Sequence, residues 1–167
     1  MAFTLKRRPQ DAQVDTVDLN KVADYFIWRA HEVGEPISQL KLQKLVYYAQ
    51  AWNLALKGTP LVKAEFQAWV HGPVNRQLYD RFKQYAWKPI TDEVEMPKLP
   101  KDVLEHLEEV WQVYGVYSPF ELERLTHSEL PWQKARGGLA PDENCEVIIS
   151  KTDMMEFFRS RLHGEGS

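Results

Sequence analysis

The segment that most constrains this fold is Ser38 to Lys57. It places Leu42, Leu45, Val46, Ala49, Trp52 and Leu56 on one helical stripe, and Tyr48, Ala51 and Ala55 widen that apolar surface. Gly58 follows where a C-terminal cap is needed. An apolar face this broad must be covered by other elements, so the helix is predicted to be central. The rest of the chain supplies candidates to cover it. Leu19, Val22, Ala23, Phe26, Ile27 and Ala30 recur at helical spacing after Asp15 or Thr16 as N-cap and before Gly34 and Pro36. Asn75 can cap a helix whose core side is Leu78, Tyr79, Phe82 and Tyr85. Val103, Leu104, Leu107, Val110, Trp111 and Tyr114 form the cleanest stripe, between Pro100 and Gly115.

Ser118-Pro119-Phe120-Glu121 reads as a capping box that opens another helix. Pro131 to Ala135 forms a short helical piece before Gly137-Gly138, and Ser150 opens a last helix bearing Met154, Phe157, Phe158 and Leu162. Phe66 to Val70 alternates like a strand until Gly72-Pro73, which reads as its break, and Val147 to Ile149 is a second β-like run. Residues 86–100, with Pro89, Pro97, Pro100 and three acids, are expected to be a connecting loop. The expected fold is mainly α, a compact bundle of about six helices with a short strand or hairpin near residues 61–71. A domain over residues 17–162 would follow an extension over 1–16 and precede a flexible tail over 163–167.

At 167 residues with 44% hydrophobic content, one domain can bury a core without disulfides or metals. The one cysteine, Cys145, forms no internal disulfide, which favours a reducing compartment such as the cytoplasm. No apolar run approaches the ~18 residues of a membrane span. A net charge of -3 gives no basic excess, so direct nucleic-acid binding is not expected. The charge is unevenly spread. Residues 1–91 carry 13 basic and 8 acidic groups, residues 92–129 carry 3 and 10, and residues 130–167 carry 5 and 6.

Catalytic motifs are sparse. Histidines 31, 71, 106, 127 and 163 include no pair spaced for one helix face, so no metal is expected, and no phosphate-binding glycine loop suggests a cofactor. Cys145, among Asp142, Glu143 and Glu146, lacks the electropositive setting of a reactive thiol. Thr126, His127, Ser128 and Glu129 are too close in sequence to converge as a catalytic triad. A pocket around Trp69, His71 and His127 remains the one alternative for an enzyme or small-ligand domain.

Three ordered blocks resemble the Panacea antitoxin domain family, also called SocA-like or GepA-like, of bacterial and phage toxin–antitoxin pairs. The first runs from Leu42 through Lys44, Leu45, Tyr48 and Trp52, then Gly58-Thr59-Pro60-Leu61. The second is Phe66 to Val74, with Trp69, His71, Gly72, Pro73 and Val74, leading to Leu78-Tyr79. The third is Leu125-Thr126-His127-Ser128-Glu129 with Pro131-Trp132, and Ile149-Ser150 with Phe157-Phe158 looks like the closing segment. The resemblance covers about residues 19–160, and separate ordered blocks are more specific than one motif. It implies a small helical, non-enzymatic protein that binds and neutralises a cognate protein toxin, with delivery of the toxin to a protease as the alternative. The matching residues are of the types that hold a core and its turns, so partner choice is expected on other surface. Asp92, Glu93, Glu95, Glu105, Glu108 and Glu109 are the candidate toxin contacts, able to occupy a cationic groove. The oligomeric state is left open.

Overall fold

The computed structural model describes residues 15–165, with side chains through Leu162. The expected extension therefore lies mostly outside the described residues, as does the end of the expected tail. The described residues form seven α-helices and one hairpin: α1 (Leu19–Glu32), α2 (Gln39–Lys57), β1 (Gln67–Trp69), β2 (Gly72–Val74), α3 (Arg76–Phe82), α4 (Lys101–Tyr114), α5 (Pro119–His127), α6 (Leu130–Arg136) and α7 (Lys151–Glu165). A single 3₁₀ turn, Lys83–Tyr85, continues α3. The fold is mainly α, and no helix among the described residues is long and apolar enough to cross a membrane.

Helix α2 is the axis of the molecule. Sixteen of its nineteen residues are buried, so neighbours surround it on every side and not only along its apolar stripe. Helices α1, α4, α5 and α7 and strand β2 pack around it. Tyr48 and Tyr114 stack with their ring centroids 4.0 Å apart, while Trp52 meets Phe158 edge-on at 5.1 Å. The Trp52 indole N–H donates to the Tyr114 hydroxyl at 2.7 Å, so this aromatic seam joins α2 to α4 and α7 and pairs its own polar atoms.

Because α2 is enclosed, its polar residues must find partners inside, and they find them on irregular backbone. Gln50 accepts from the amides of Leu61 and Val62 at 2.8 and 3.0 Å and donates to the Val62 carbonyl at 3.0 Å. Asn53 donates to the Thr59 carbonyl at 2.8 Å. Gln43 accepts from Asn75 N–H at 2.9 Å and returns a bond to the Asn75 carbonyl at 3.1 Å. The turn after α2 and the end of the hairpin are thus hung on side chains of one helix.

Two local features differ from the sequence expectation. The hairpin lies at 67–74 and not 61–71, and Gly72-Pro73 belongs to β2 instead of ending the strand. Pro73 faces Ala68 between the hydrogen-bonded pairs Gln67↔Val74 and Trp69↔Gly72, so its missing N–H removes no ladder bond. The N-cap of α1 is Asp18, whose carboxylate accepts from Asn20 N–H at 2.9 Å, because the preceding Val17 is drawn out to pair with Leu61 and Val62. Asn75 caps α3, Gly58 closes α2 in the left-handed conformation, and both halves of the Ser118–Glu121 capping box form.

Candidate functional site

The residues of the three sequence blocks converge on the hairpin. Lys44 of α2 is fully buried and donates to the Pro73 carbonyl at 3.2 Å. Thr126 of α5 is also buried and packs beside the same backbone. Trp132 of α6 donates its indole N–H to the Trp69 carbonyl at 2.9 Å, and Pro131 is buried next to it. His127 stacks on Trp132 at 4.0 Å, and its Nε2 is buried without a hydrogen-bond partner. Leu42, Leu45, Tyr48 and Val74 are buried in the core, and Tyr79 lies against Trp69 at 5.0 Å between ring centroids.

Arg136, the last residue of α6, completes this clamp. The residue is 4% exposed, and its guanidinium lies 4.8 Å from the Trp132 ring centroid and donates to the carbonyls of Ala68 at 2.8 Å and Ala140 at 2.9 Å and also to that of Glu143. The sequence assigns no role to Arg136, and none to Gln43 and Gln50 beyond their place in the first block, since one chain offers no signal that separates a buried carbonyl-binding side chain from a solvated one. Glu129 belongs to the acidic stretch in sequence, yet it is buried and accepts from the Tyr48 hydroxyl at 2.9 Å.

The candidate acids divide. Glu105, Glu108 and Glu109 line one open groove between α1 and α4, with Tyr25, Trp28, Leu104 and Met96 among its apolar walls. Glu108 is engaged within the chain: Arg29 reaches it at 2.9 Å, Tyr25 donates at 2.5 Å, and Gln112 donates at 2.6 Å. These partners hold its carboxylate below the ordinary range against an opposing effect of burial. Asp92 is bonded to the Tyr85 hydroxyl at the other end of the loop, and Glu93 and Glu95 are exposed. The structure therefore brings the three α4 acids together and leaves the loop acids apart.

The alternative pocket does not assemble its two histidines. The cleft beside Trp69 is lined by His71, Arg76, Asp142, Asn144, Cys145 and Glu146, and His127 is not among its walls. His71 is exposed and pairs with Glu123 at 3.1 Å, whereas Arg76 lies over Trp69 at 5.1 Å from the centroid. Among the described residues no three His, Cys, Asp or Glu side chains group as metal ligands.

Two buried groups give the clamp a signature in pH. Burial pulls the Lys44 ammonium down to about 7 and pushes the Glu129 carboxyl up to about 8. Above pH 7 an unfolded lysine still holds its proton while folded Lys44 has lost it, so the Lys44 contribution makes stability rise with pH. Glu129 acts oppositely, costing stability as pH rises from the unfolded carboxylate range to about 8. Between pH 8 and 9 the wild type should gain about 1 kcal/mol of unfolding free energy relative to Lys44→Met. Urea titrations at the two pH values check this, and parallel curves for both proteins would refute it.

The described residues thus define a mainly helical domain whose short hairpin is clamped by buried side chains of α2, α5 and α6. The chain matches the family described as "Antitoxin SocA-like, Panacea domain" over residues 42–133, and it belongs to that family. The match begins at Leu42 and ends at Gln133, so it spans most of α2, the hairpin, α3, α4, α5 and part of α6. The chain is also 33% identical over 163 residues to "Antitoxin SocA" of Caulobacter vibrioides (strain NA1000 / CB15N), a similarity covering 90% of this chain and 86% of that protein. No solved structure gives a significant match.

Proposed function

We propose that this protein is the antitoxin of a toxin–antitoxin pair and neutralises a cognate protein toxin in the cytoplasm by binding it directly, without catalysis. The observation that carries this reading is the similarity to an antitoxin along 90% of the chain. The family-motif residues would act through the fold, because Lys44, Thr126 and Trp132 meet hairpin backbone and are buried. The toxin would then be met by exposed surface.

For that surface we keep the acidic face of α4. Glu105 and Glu109 flank the groove that Trp28, Leu104 and Met96 line, combining carboxylates with apolar area. Such a face suits a toxin whose own working groove is cationic, as for action on RNA or nucleotides, since opposite potentials speed encounter and block the groove. Glu108 has a different task, holding α4 to α1 through Arg29 and Tyr25.

Co-expression with the product of the adjacent small gene tests the reading. That product should arrest growth alone and should be silenced when this protein is present, and a pull-down should recover both. Persisting toxicity would refute the role, and toxin loss that requires a protease would replace masking by delivery. In the same assay, Glu105→Lys with Glu109→Lys should weaken binding by at least about tenfold, as opposed charges at a contact typically contribute more than 1.4 kcal/mol. Full affinity in that double variant would move the contact elsewhere.

A further inference from the structure

We propose that two copies of this chain pair along the sheet edge at Ile148, joining their sheets into one continuous six-stranded antiparallel sheet. The edge is made by residues 147–149, which lie beside β1. Ala68 N–H donates to the Val147 carbonyl at 2.9 Å, and Ile149 N–H donates to the Phe66 carbonyl at 2.7 Å. Gln67 and Ile148 are the antiparallel pair between those bonds. In such a ladder the N–H and C=O of one residue point the same way, and those of its neighbours point the other way. Ile148 therefore turns both groups away from β1, toward the open side of the sheet.

The side chains at that edge are apolar, and two of the three are accessible while Ile149 is buried in the core. Val147 is 52% exposed and Ile148 50% exposed. Protected edges usually carry a lysine, a proline or a bulge, and residues 145–149, Cys-Glu-Val-Ile-Ile, contain neither lysine nor proline. An outward N–H and C=O on an exposed isoleucine, next to an exposed valine on one side and the buried Ile149 on the other, is a template for another extended backbone.

A second copy meets every requirement of that template. Antiparallel pairing about a twofold axis at Ile148 lets the two Ile148 residues exchange both main-chain bonds and brings their side chains together. The same register sets Val147 opposite Ile149 of the second copy and Glu146 opposite Ser150, so no like charges face each other. The nearest ions are already neutralised within each chain, Glu146 by Arg76 and Lys151 by Glu65 at 3.2 Å. Two main-chain bonds and a few apolar side chains make a small contact, so the association belongs to the weak, transient class.

Sedimentation of the full chain from micromolar to submillimolar concentration should show reversible dimers. Ile148→Asp, which sets two carboxylates against each other on the axis, should shift the dissociation constant at least about tenfold. Its circular dichroism and melting should stay those of the parent, because the replaced side chain is half exposed and the bonds to β1 use Val147 and Ile149. A positive test is Ile148→Cys in a Cys145→Ala background. Paired residues of this kind sit roughly 5.5 Å apart at Cα, within disulfide reach, so mild oxidation should link two chains. Leu139→Cys, at an exposed apolar residue away from the edge, should not link. A wild type that stays monomeric throughout, dimers that survive Ile148→Asp, or absence of the cross-link overturns the proposal. Monomers whose toxin binding depends on Ile148 would give the edge to a strand of the toxin and overturn it equally.

Discussion

Gly72→Ala is expected to lower the unfolding free energy by roughly 3–5 kcal/mol, adding backbone strain to a steric clash. Gly72 has φ +109°, a conformation that a residue with a Cβ rarely adopts. A Cβ built there lies 2.4 Å from Lys44 Cε and 2.8 Å from Thr126 Oγ1. Neither neighbour can withdraw cheaply. Lys44 has no exposed surface and its ammonium is tied to the carbonyl of the next residue, Pro73, while Thr126 is buried and bonded to the Glu123 carbonyl at 2.8 Å. The loss corresponds to a fall in melting temperature of roughly 10 °C for a chain this size. Combining Gly72→Ala with Lys44→Ala separates the two causes: it removes the nearest clash but leaves the strain, so the double variant should cost less than the sum of the singles. A single variant melting within about 2 °C of the parent would refute the close fit of glycine, lysine and threonine.

The same contact explains which parts of the structure were legible in the sequence. Local signals read well. The α4 stripe, the Ser118–Glu121 box and the Asn75 cap depend on residues three or four positions apart, and all form. Helix α2 was legible as central but not as enclosed, because periodicity treats Gln43, Lys44, Gln50 and Asn53 as a polar side and they are buried. Their partners are carbonyls and amides 6 to 32 positions away, which no helical pattern encodes. Pro73 misled for a related reason, since whether a strand tolerates proline depends on which way its nitrogen faces.

Charge shows the limit most clearly. The acidic run from residue 92 to 129 is contiguous in sequence and divided in space. Glu129 is inside the core, Glu108 is held by α1, Glu121 serves a cap and Glu123 meets His71. Only part of the run can face a partner, and a sum along the chain cannot see side-chain direction. The edge at Ile148 was visible as a β-like run from Val147 to Ile149, but its open side followed only from the register with Gln67.

Arg136→Ala should be nearly as damaging, costing about 3–5 kcal/mol, because several backbone carbonyls lose a charged donor at about 1–3 kcal/mol for each left unsatisfied. The guanidinium joins two stretches of backbone: β1 through the Ala68 carbonyl, and the turn after α6 through those of Ala140 and Glu143. Its stacking on Trp132 fixes the indole that bonds Trp69, so removing it unpairs buried carbonyls and loosens the aromatic beneath them. Arg136→Lys should recover less than half of the loss, because an ammonium has neither the planar fork that reaches acceptors on two sides nor the flat face for the indole. Denaturant unfolding measures the cost, and hydrogen exchange locates it. Amides of residues 139–149 should lose protection first, since this segment is tied to the core through Arg136 on one side and the Ala68 and Phe66 backbone on the other. A lysine variant within about 1 kcal/mol of the parent would mean that charge alone holds the turn, whereas the geometry assigns that task to the fork. Because the same segment carries the Ile148 edge, Arg136→Lys should also weaken self-association without touching a residue of that contact.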